Sequence, residues 1–134
     1  MKKRIEKCLP DAIKIISKVE IKDGDKTFKI ANSNNEVDNK FSGYFSAFGA
    51  SIVLSGMKPA LAFYSNVKTV KERALILSAV YALINKTNEN EIKNIKPIDL
   101  LLFYIENEND KLLKHKILDA AIALKLAVRT YKLI

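Results

Sequence analysis

The sequence predicts an all-α protein: one single-domain bundle of five or six helices across residues 1–134, with a small β-hairpin or ordered loop near residues 19–31. Apolar residues recur at helical spacing in four long segments, which is the first reason. A chain of 134 residues that is 49% hydrophobic and 28% charged has the length and composition of one globular domain. No flexible linker divides it, so a second domain is not expected.

The first helical pattern covers residues 4–19, with Ile5, Ala12, Ile16 and Val19 on its apolar side. Pro10 lies inside the pattern, so we expect a kink or a fresh helix start there. The only cysteine, Cys8, falls on the apolar side and predicts a buried structural thiol in a reducing compartment.

The segment "VEIKDGDKTFKI" changes to a period of two residues. Asp23-Gly24 is a favourable two-residue turn, and pairing around it places Val19, Ile21, Phe28 and Ile30 on one face. The ligands that would complete a calcium loop are missing, so this stretch is read as a turn.

A helix is expected over residues 37–55, after the polar loop "ANSNNEVDN". One face carries its large apolar side chains and another is smooth, with small residues only. The apolar face is Phe41, Phe45, Phe48 and Ile52, and the smooth face is Gly43, Ala47 and Ala50.

A corner follows at "SGMKPALAFYSN". Gly56 is expected to end the helix as an αL cap, and Pro59 suits the first turn of a short new helix. Phe63 and Tyr64 are expected to pack on the preceding aromatics, so Phe63→Ala should cost about 3–5 kcal/mol.

Three further helices are predicted, over residues 67–86, 98–106 and 110–133. The first should bury Val70, Leu77, Val80, Tyr81 and Ile84, and the last should bury Leu113, Ile117, Ala121, Leu124, Val128 and Tyr131.

Charge is the main functional indication. The formal net charge is +8, which favours a polyanionic partner, and the excess is concentrated at both ends of the chain. Twenty of the 23 basic residues are lysines, which suit phosphates better than base edges. We therefore expect binding to a nucleic-acid backbone.

Helical geometry arranges the basic residues in two rows. Lys125, Arg129 and Lys132 stand at i, i+4 and i+7 of the predicted last helix, and Lys111 and Lys114 project along the same direction. The second row is Lys3, Lys7, Lys14 and Lys18, opposite the apolar face of the first helix, with Asp11 as the exception in sign.

No pattern indicates catalysis, a metal or a cofactor. His115 has no cysteine or carboxylate at metal-ligand spacing and is expected to face solvent. The acidic residues Asp99, Glu106, Glu108 and Asp110 are expected to be solvated. Phosphate-loop, nucleophile-elbow and dinucleotide motifs are all missing, so a binding protein is predicted before an enzyme.

The order of "GYFSAFGASIVLSGMKPALAFYSN", a long helix, an acidic turn and a terminal "DAAIALKLAVRTYKL" resembles the small subunit of the type III-B CRISPR effector, the Cmr complex. Tyr44, the Ser55-Gly56-Met57 break, the run 61–63 and the run 123–125 carry the resemblance. Leucine usually follows the glycine in that family, where this chain has Met57. Tryptophan usually stands where this chain has Ala123, and residues 20–36 look like an insertion.

The resemblance implies a non-catalytic all-α subunit in antiviral defence whose copies stack along an RNA-guided filament and help to hold guide RNA and target RNA. Its partners would be the other effector subunits, and the corner at Met57, Lys58 and Tyr64 would seat against a neighbour. A cytoplasmic location is expected, because no segment predicts a membrane span or an uninterrupted signal sequence. Three alternatives stay open: the small subunit of a type III-A effector, a helical DNA-binding regulator, and a structural adaptor that never touches nucleic acid.

Overall fold

The computed structural model describes residues 2–66 and 71–134, and these form a helical bundle with two small β elements. The α-helices are α1 (Lys2–Lys18), α2 (Lys40–Ser55), α3 (Met57–Tyr64), α4 (Lys71–Ile84), α5 (Ile98–Glu106) and α6 (Leu113–Val128), and a 3₁₀ helix covers Glu89–Asn94. The strands are β1 (Glu20–Asp23), β2 (Lys26–Lys29), β3 (Glu36–Val37) and β4 (Lys132–Leu133). The predicted all-α bundle with a small hairpin is confirmed.

Helix α4 lies at the centre of the molecule. Seven consecutive residues, 74–80, are all buried, and the helix contacts every other α-helix and the β1-β2 hairpin. Leu77 and Val80 are buried as predicted, whereas Tyr81 and Ile84 are half-buried and Val70 lies outside the described residues. A helix that is apolar on all sides belongs inside a core, so the predicted single stripe was too narrow.

Helices α1 and α6 pack against each other in parallel. The Arg4 guanidinium lies 3.3 Å from the Asp119 carboxylate, and the Tyr131 hydroxyl donates a 2.6 Å hydrogen bond to the Ile13 carbonyl. The start of α1 therefore meets the middle of α6, and a later part of α1 meets the residues that follow α6. Pro10 is exposed and does not break α1. Proline has no N–H to donate to the carbonyl four residues earlier, but that carbonyl can bind water instead at this exposed position.

Cys8 is half-buried and packs against the core, so the expected fully buried thiol is corrected to a partly covered one.

The hairpin pairs Ile21 with Phe28 in the predicted face, but its turn lies one residue later than predicted. The two loop residues are Gly24 and Asp25, and Gly24 takes a φ of +62°. Glycine at the first of two loop positions is the type II′ arrangement, which matches the twist of the strands.

The second β element was not predicted. Strands β3 and β4 pair in parallel, with Glu36 opposite Lys132 and Val37 opposite Leu133. The expected helix over residues 110–133 therefore ends at Val128, because the last residues pair with the segment that precedes α2.

The α2–α3 corner buries the predicted face of α2, including Phe41, Phe45 and Phe48. Tyr64 packs edge-on against Phe48, with ring centroids 5.1 Å apart. Gly56 ends α2, but its φ of +92° and ψ of 164° lie outside the αL region that was predicted. Phe63 is 57% exposed, so its expected burial is wrong.

Helix α5 has the predicted bounds, and the Asp99 carboxylate accepts a 2.8 Å hydrogen bond from the Lys96 backbone N–H at its start. The loop before it holds the unpredicted 3₁₀ helix. Within the described part of the chain, none of the helices is long and apolar enough to cross a lipid bilayer.

Candidate nucleic-acid interface

The row of lysines on α1 is present in the structure. Lys3, Lys7, Lys14 and Lys18 are all exposed, and helical spacing places them opposite the buried Ile5, Ala12 and Ile16. Fifteen residues of helix separate the first lysine from the last, a length of about 22 Å. One nucleic-acid strand of that length carries about six phosphates.

Most of this row is free to meet a ligand. Within the described residues Lys18 has one ion-pair partner, Glu89 at 3.9 Å, and both groups remain about half exposed. An exposed pair of this kind contributes little stability, so a phosphate can replace the carboxylate at small cost. Asp11 is exposed beside the row, as its position in the sequence predicted.

The row predicted on the last helix is interrupted. Lys132 lies in β4 rather than on α6, and its ammonium is 3.9 Å from the Glu36 carboxylate. Lys111 precedes the first residue of α6, so helical periodicity does not fix its direction. Lys114, Lys125 and Arg129 remain on one side of α6, which reduces the predicted row from five residues to three.

The two rows do not merge into one surface. Arg4 of α1 pairs with Asp119 on one side of α6, and Lys125 lies on another side, although Asp119 and Lys125 both line the groove between α6 and α2. Ile122 and Leu126, each 39% exposed, lie between these two sides by helical spacing. The α1 row is therefore the longer and more continuous basic surface.

The predicted subunit contact at the corner needs correction. Met57 is 6% exposed and Tyr64 is 4% exposed, so both belong to the core. Lys58 is exposed, and its ion pair with Glu108 of the turn after α5 raises the pKa of the ammonium above its ordinary value. Of these three residues, only Lys58 is exposed at the molecular surface.

An uncharged surface lies instead on the outer face of α2. Gly43, Ala47 and Ala50 are exposed there, and Val53 and Leu54 are 71% and 84% exposed. No charged residue occurs between Phe41 and Met57, so this face meets water without a solvating charge. Its edge forms the groove of about 460 Å³ against α6, where Ser46, Gly49 and Val53 face Leu118, Ile122 and Lys125.

Asp99, Glu108 and Asp110 make local hydrogen bonds and surface ion pairs. The Asp110 carboxylate accepts a hydrogen bond from the Leu112 backbone N–H at 3.0 Å and lies 3.8 Å from the Lys116 ammonium. His115 is exposed in the groove beside α2. Among residues 2–66 and 71–134, three or more metal-ligating side chains never gather at one place.

Sequence reasoning missed two basic residues. The Arg73 guanidinium lies 4.3 Å from the centre of the exposed Phe63 ring and 5.5 Å from the Tyr64 ring. Lys86, in the turn after α4, has a φ of +49° and lines a cavity beside α1. Neither residue could be found from an apolar period in the sequence, because the surroundings of each are formed by contacts between separate elements.

Comparison with protein-family models, with curated proteins and with solved structures found no match to this chain.

Proposed function

We propose that the chain is a non-catalytic subunit of a ribonucleoprotein, which binds the phosphate backbone of RNA through the lysines of α1. The carrying observation is the row of Lys3, Lys7, Lys14 and Lys18 along one exposed helix face, where the described residues supply a single ion pair. Lysine ammonium groups act as point charges toward phosphates and read no base sequence.

More specifically, we propose that the chain is the small subunit of a type III-B CRISPR effector in the cytoplasm. Its partners there would be guide RNA, target RNA and the other effector subunits. Support comes from the order of the helices around the Gly56 break and from the residues that carry the resemblance. The uncharged face of α2 would contact a neighbouring subunit, either another copy or a larger protein. A surface that exposes Val53 and Leu54 so fully is typical of an interaction site.

The binding test measures RNA affinity against salt concentration. Replacing Lys3, Lys7 and Lys14 together with glutamine should lower the slope of log K against log salt by about 2, because each lost phosphate contact removes about 0.7 for a single strand. The matched control replaces Lys26, Lys29 and Lys93 with glutamine; these lysines are also exposed, and their replacement lowers the net charge by the same amount. Equal losses in both variants would show that only net charge matters and would refute the α1 site.

The assembly test is a tagged purification from the native cell with bound RNA and proteins identified. Short guide RNAs with repeat-derived ends, together with larger effector subunits, are the expected result. Leu54→Glu should leave the fold intact, because the side chain is 84% exposed, yet should remove the protein partners. An RNA-free protein from such cells would contradict the proposal and favour the adaptor, and preference for one duplex DNA sequence would favour the regulator.

A further inference from the structure

A cavity of about 260 Å³ lies where α1, the end of α4 and the 3₁₀ helix meet. Its floor is apolar, with Ile15 from α1, Leu83 from α4 and Ile92 from the 3₁₀ helix. Its rim is polar and charged, and the rim residues are Asp11, Lys14, Lys86, Thr87, Asn88 and Glu89. The cavity thus combines an apolar floor with charges of both signs.

The charges on this rim are only partly compensated. Glu89 is paired with Lys18 at 3.9 Å. Asp11, Lys14 and Lys86 have no ion-pair partner in the part of the chain that the structure describes. Two free ammonium groups and one free carboxylate therefore border the same small volume.

The turn after α4 holds Lys86 in a backbone conformation that lysine rarely adopts. The Lys86 N–H donates to the Leu83 carbonyl and the Thr87 N–H donates to the Ala82 carbonyl, which closes α4 in a Schellman motif. Glycine or asparagine usually occupies the left-handed position of that motif, and here Lys86 occupies it with a φ of +49°. A strained residue whose side chain lines a cavity indicates a role at that cavity.

Thr87 adds an unsatisfied polar group. Its Oγ1 is buried and has no hydrogen-bond partner among the described residues. A buried hydroxyl without a partner costs free energy, so the turn beside the cavity carries an unsatisfied polar group.

We propose that this cavity binds a single nucleotide, with the base on the apolar floor and its phosphate between Lys14 and Lys86. The inference rests on the proposed function, since Lys14 also belongs to the α1 row that would track an RNA strand. The volume lies just below the usual range of small-molecule sites, about 300–1,000 Å³, so the cavity has room for one small ligand at most. The carboxylate of Asp11 can only accept hydrogen bonds. It therefore favours cytosine, whose N4 amino group donates, over uracil, which presents a carbonyl oxygen at that position.

The experiment titrates the full-length isotope-labelled chain with CMP, UMP and inorganic phosphate, and follows the backbone amide shifts of residues 86–89. CMP is expected to shift these amides and to bind about 5-fold or more tightly than UMP, because a good polar contact to a base edge discriminates at least that strongly. Asp11→Asn should bring CMP and UMP to within about 2-fold of each other, since the amide can also donate to a carbonyl.

Lys86→Gly separates binding from folding. Glycine relieves the left-handed backbone, so the variant should melt at a higher temperature than the parent while its affinity for both nucleotides falls. Lys29→Gln, an exposed change of the same charge on β2, should leave nucleotide binding unchanged.

Inorganic phosphate binding as tightly as CMP would overturn the proposal, because the base would then contribute nothing. Absent shifts at nucleotide concentrations of about 10 mM would overturn it as well. If longer RNA still binds through the α1 lysines in either case, the proposed function stands without the pocket. If CMP binds and longer RNA does not, the pocket stands and the proposed function fails.

Discussion

Phe48 and Phe63 provide a sharp test of where the core ends, because helical pattern alone assigns both to it. Phe48 is fully buried, and its ring lies edge-on to Tyr64 at 5.1 Å. Truncating a buried phenylalanine to alanine removes its transfer free energy and leaves a cavity, so Phe48→Ala should cost about 3–5 kcal/mol.

Phe63→Ala should cost much less. The side chain is 57% exposed, so less than half of a full burial free energy of about 1.5–3 kcal/mol is lost. The Arg73 guanidinium, 4.3 Å from the ring centre, adds about 0.5–1 kcal/mol of cation–π attraction. These two contributions give a total of about 1–2 kcal/mol, and water fills the space without a cavity.

Urea unfolding followed by circular dichroism measures both losses, provided that the m-values of the two variants agree with that of the parent. A double-mutant cycle of Phe63→Ala with Arg73→Met should return the cation–π share separately. Equal losses for Phe48→Ala and Phe63→Ala, within about 0.5 kcal/mol, would refute the reasoning, because they would place Phe63 in the core.

Three further predictions concern the backbone and the alkaline range. Lys86→Gly should raise the free energy of unfolding by about 1 kcal/mol, because glycine adopts the φ of +49° without the cost paid by lysine, and a lower stability in urea unfolding would contradict this. Gly56→Ala should destabilise the fold by about 1–3 kcal/mol because alanine rarely adopts a φ of +92°. The added Cβ would lie 3.8 Å from the Pro59 Cδ, which is an ordinary contact and adds no steric cost. An unchanged urea midpoint would show that the backbone at this position relaxes freely. Burial raises the pKa of the Tyr131 hydroxyl above 10.0, so the folded state keeps a proton that the unfolded state loses, and stability should fall as the pH rises from about 10 through the folded pKa. Tyr131→Phe should be less stable at pH 7, because the hydrogen bond to the Ile13 carbonyl is lost. Its stability should also fall less steeply in the alkaline range. Identical alkaline stability profiles for both proteins would assign the loss of stability to other groups.

The sequence was most informative where local signals agree. Helix α5 has its predicted bounds because Pro97 marks its start and the polar segment after Glu106 marks its end. The face of α2 that carries Phe41, Phe45 and Phe48 follows directly from a helical period, and it is buried.

Local sequence signals failed where contacts between distant parts of the chain determine the structure. Strands β3 and β4 have two residues each, and they join residues 36–37 to residues 132–133, a pairing without local pattern. The buried side of α3 is formed by Met57, Ala60, Leu61 and Tyr64. Phe63 lies about 100° around the helix from the centre of that side. At such a position the neighbouring elements, and not the helical period, determine how exposed the side chain is.

The candidate site was predicted in part. The α1 lysines depend only on one helix and its apolar face, so periodicity found them. The cavity beside them was not predicted, because Lys86 lacks the glycine or asparagine signature of its backbone conformation. Its partner residues on α1 are more than seventy positions earlier in the chain.

The complete burial of α4 determines which amides should resist exchange with heavy water the longest. Residues 74–80 lie beneath every other α-helix, so their hydrogen bonds become exposed only when the surrounding layer has already opened. Their exchange rates in D₂O should therefore report the free energy of global unfolding. The amides of α1 and of the hairpin, which lie at the outside, should exchange through smaller openings. A ligand that binds α1 would slow the outer amides first, which gives a residue-level readout of binding that requires no label on the RNA.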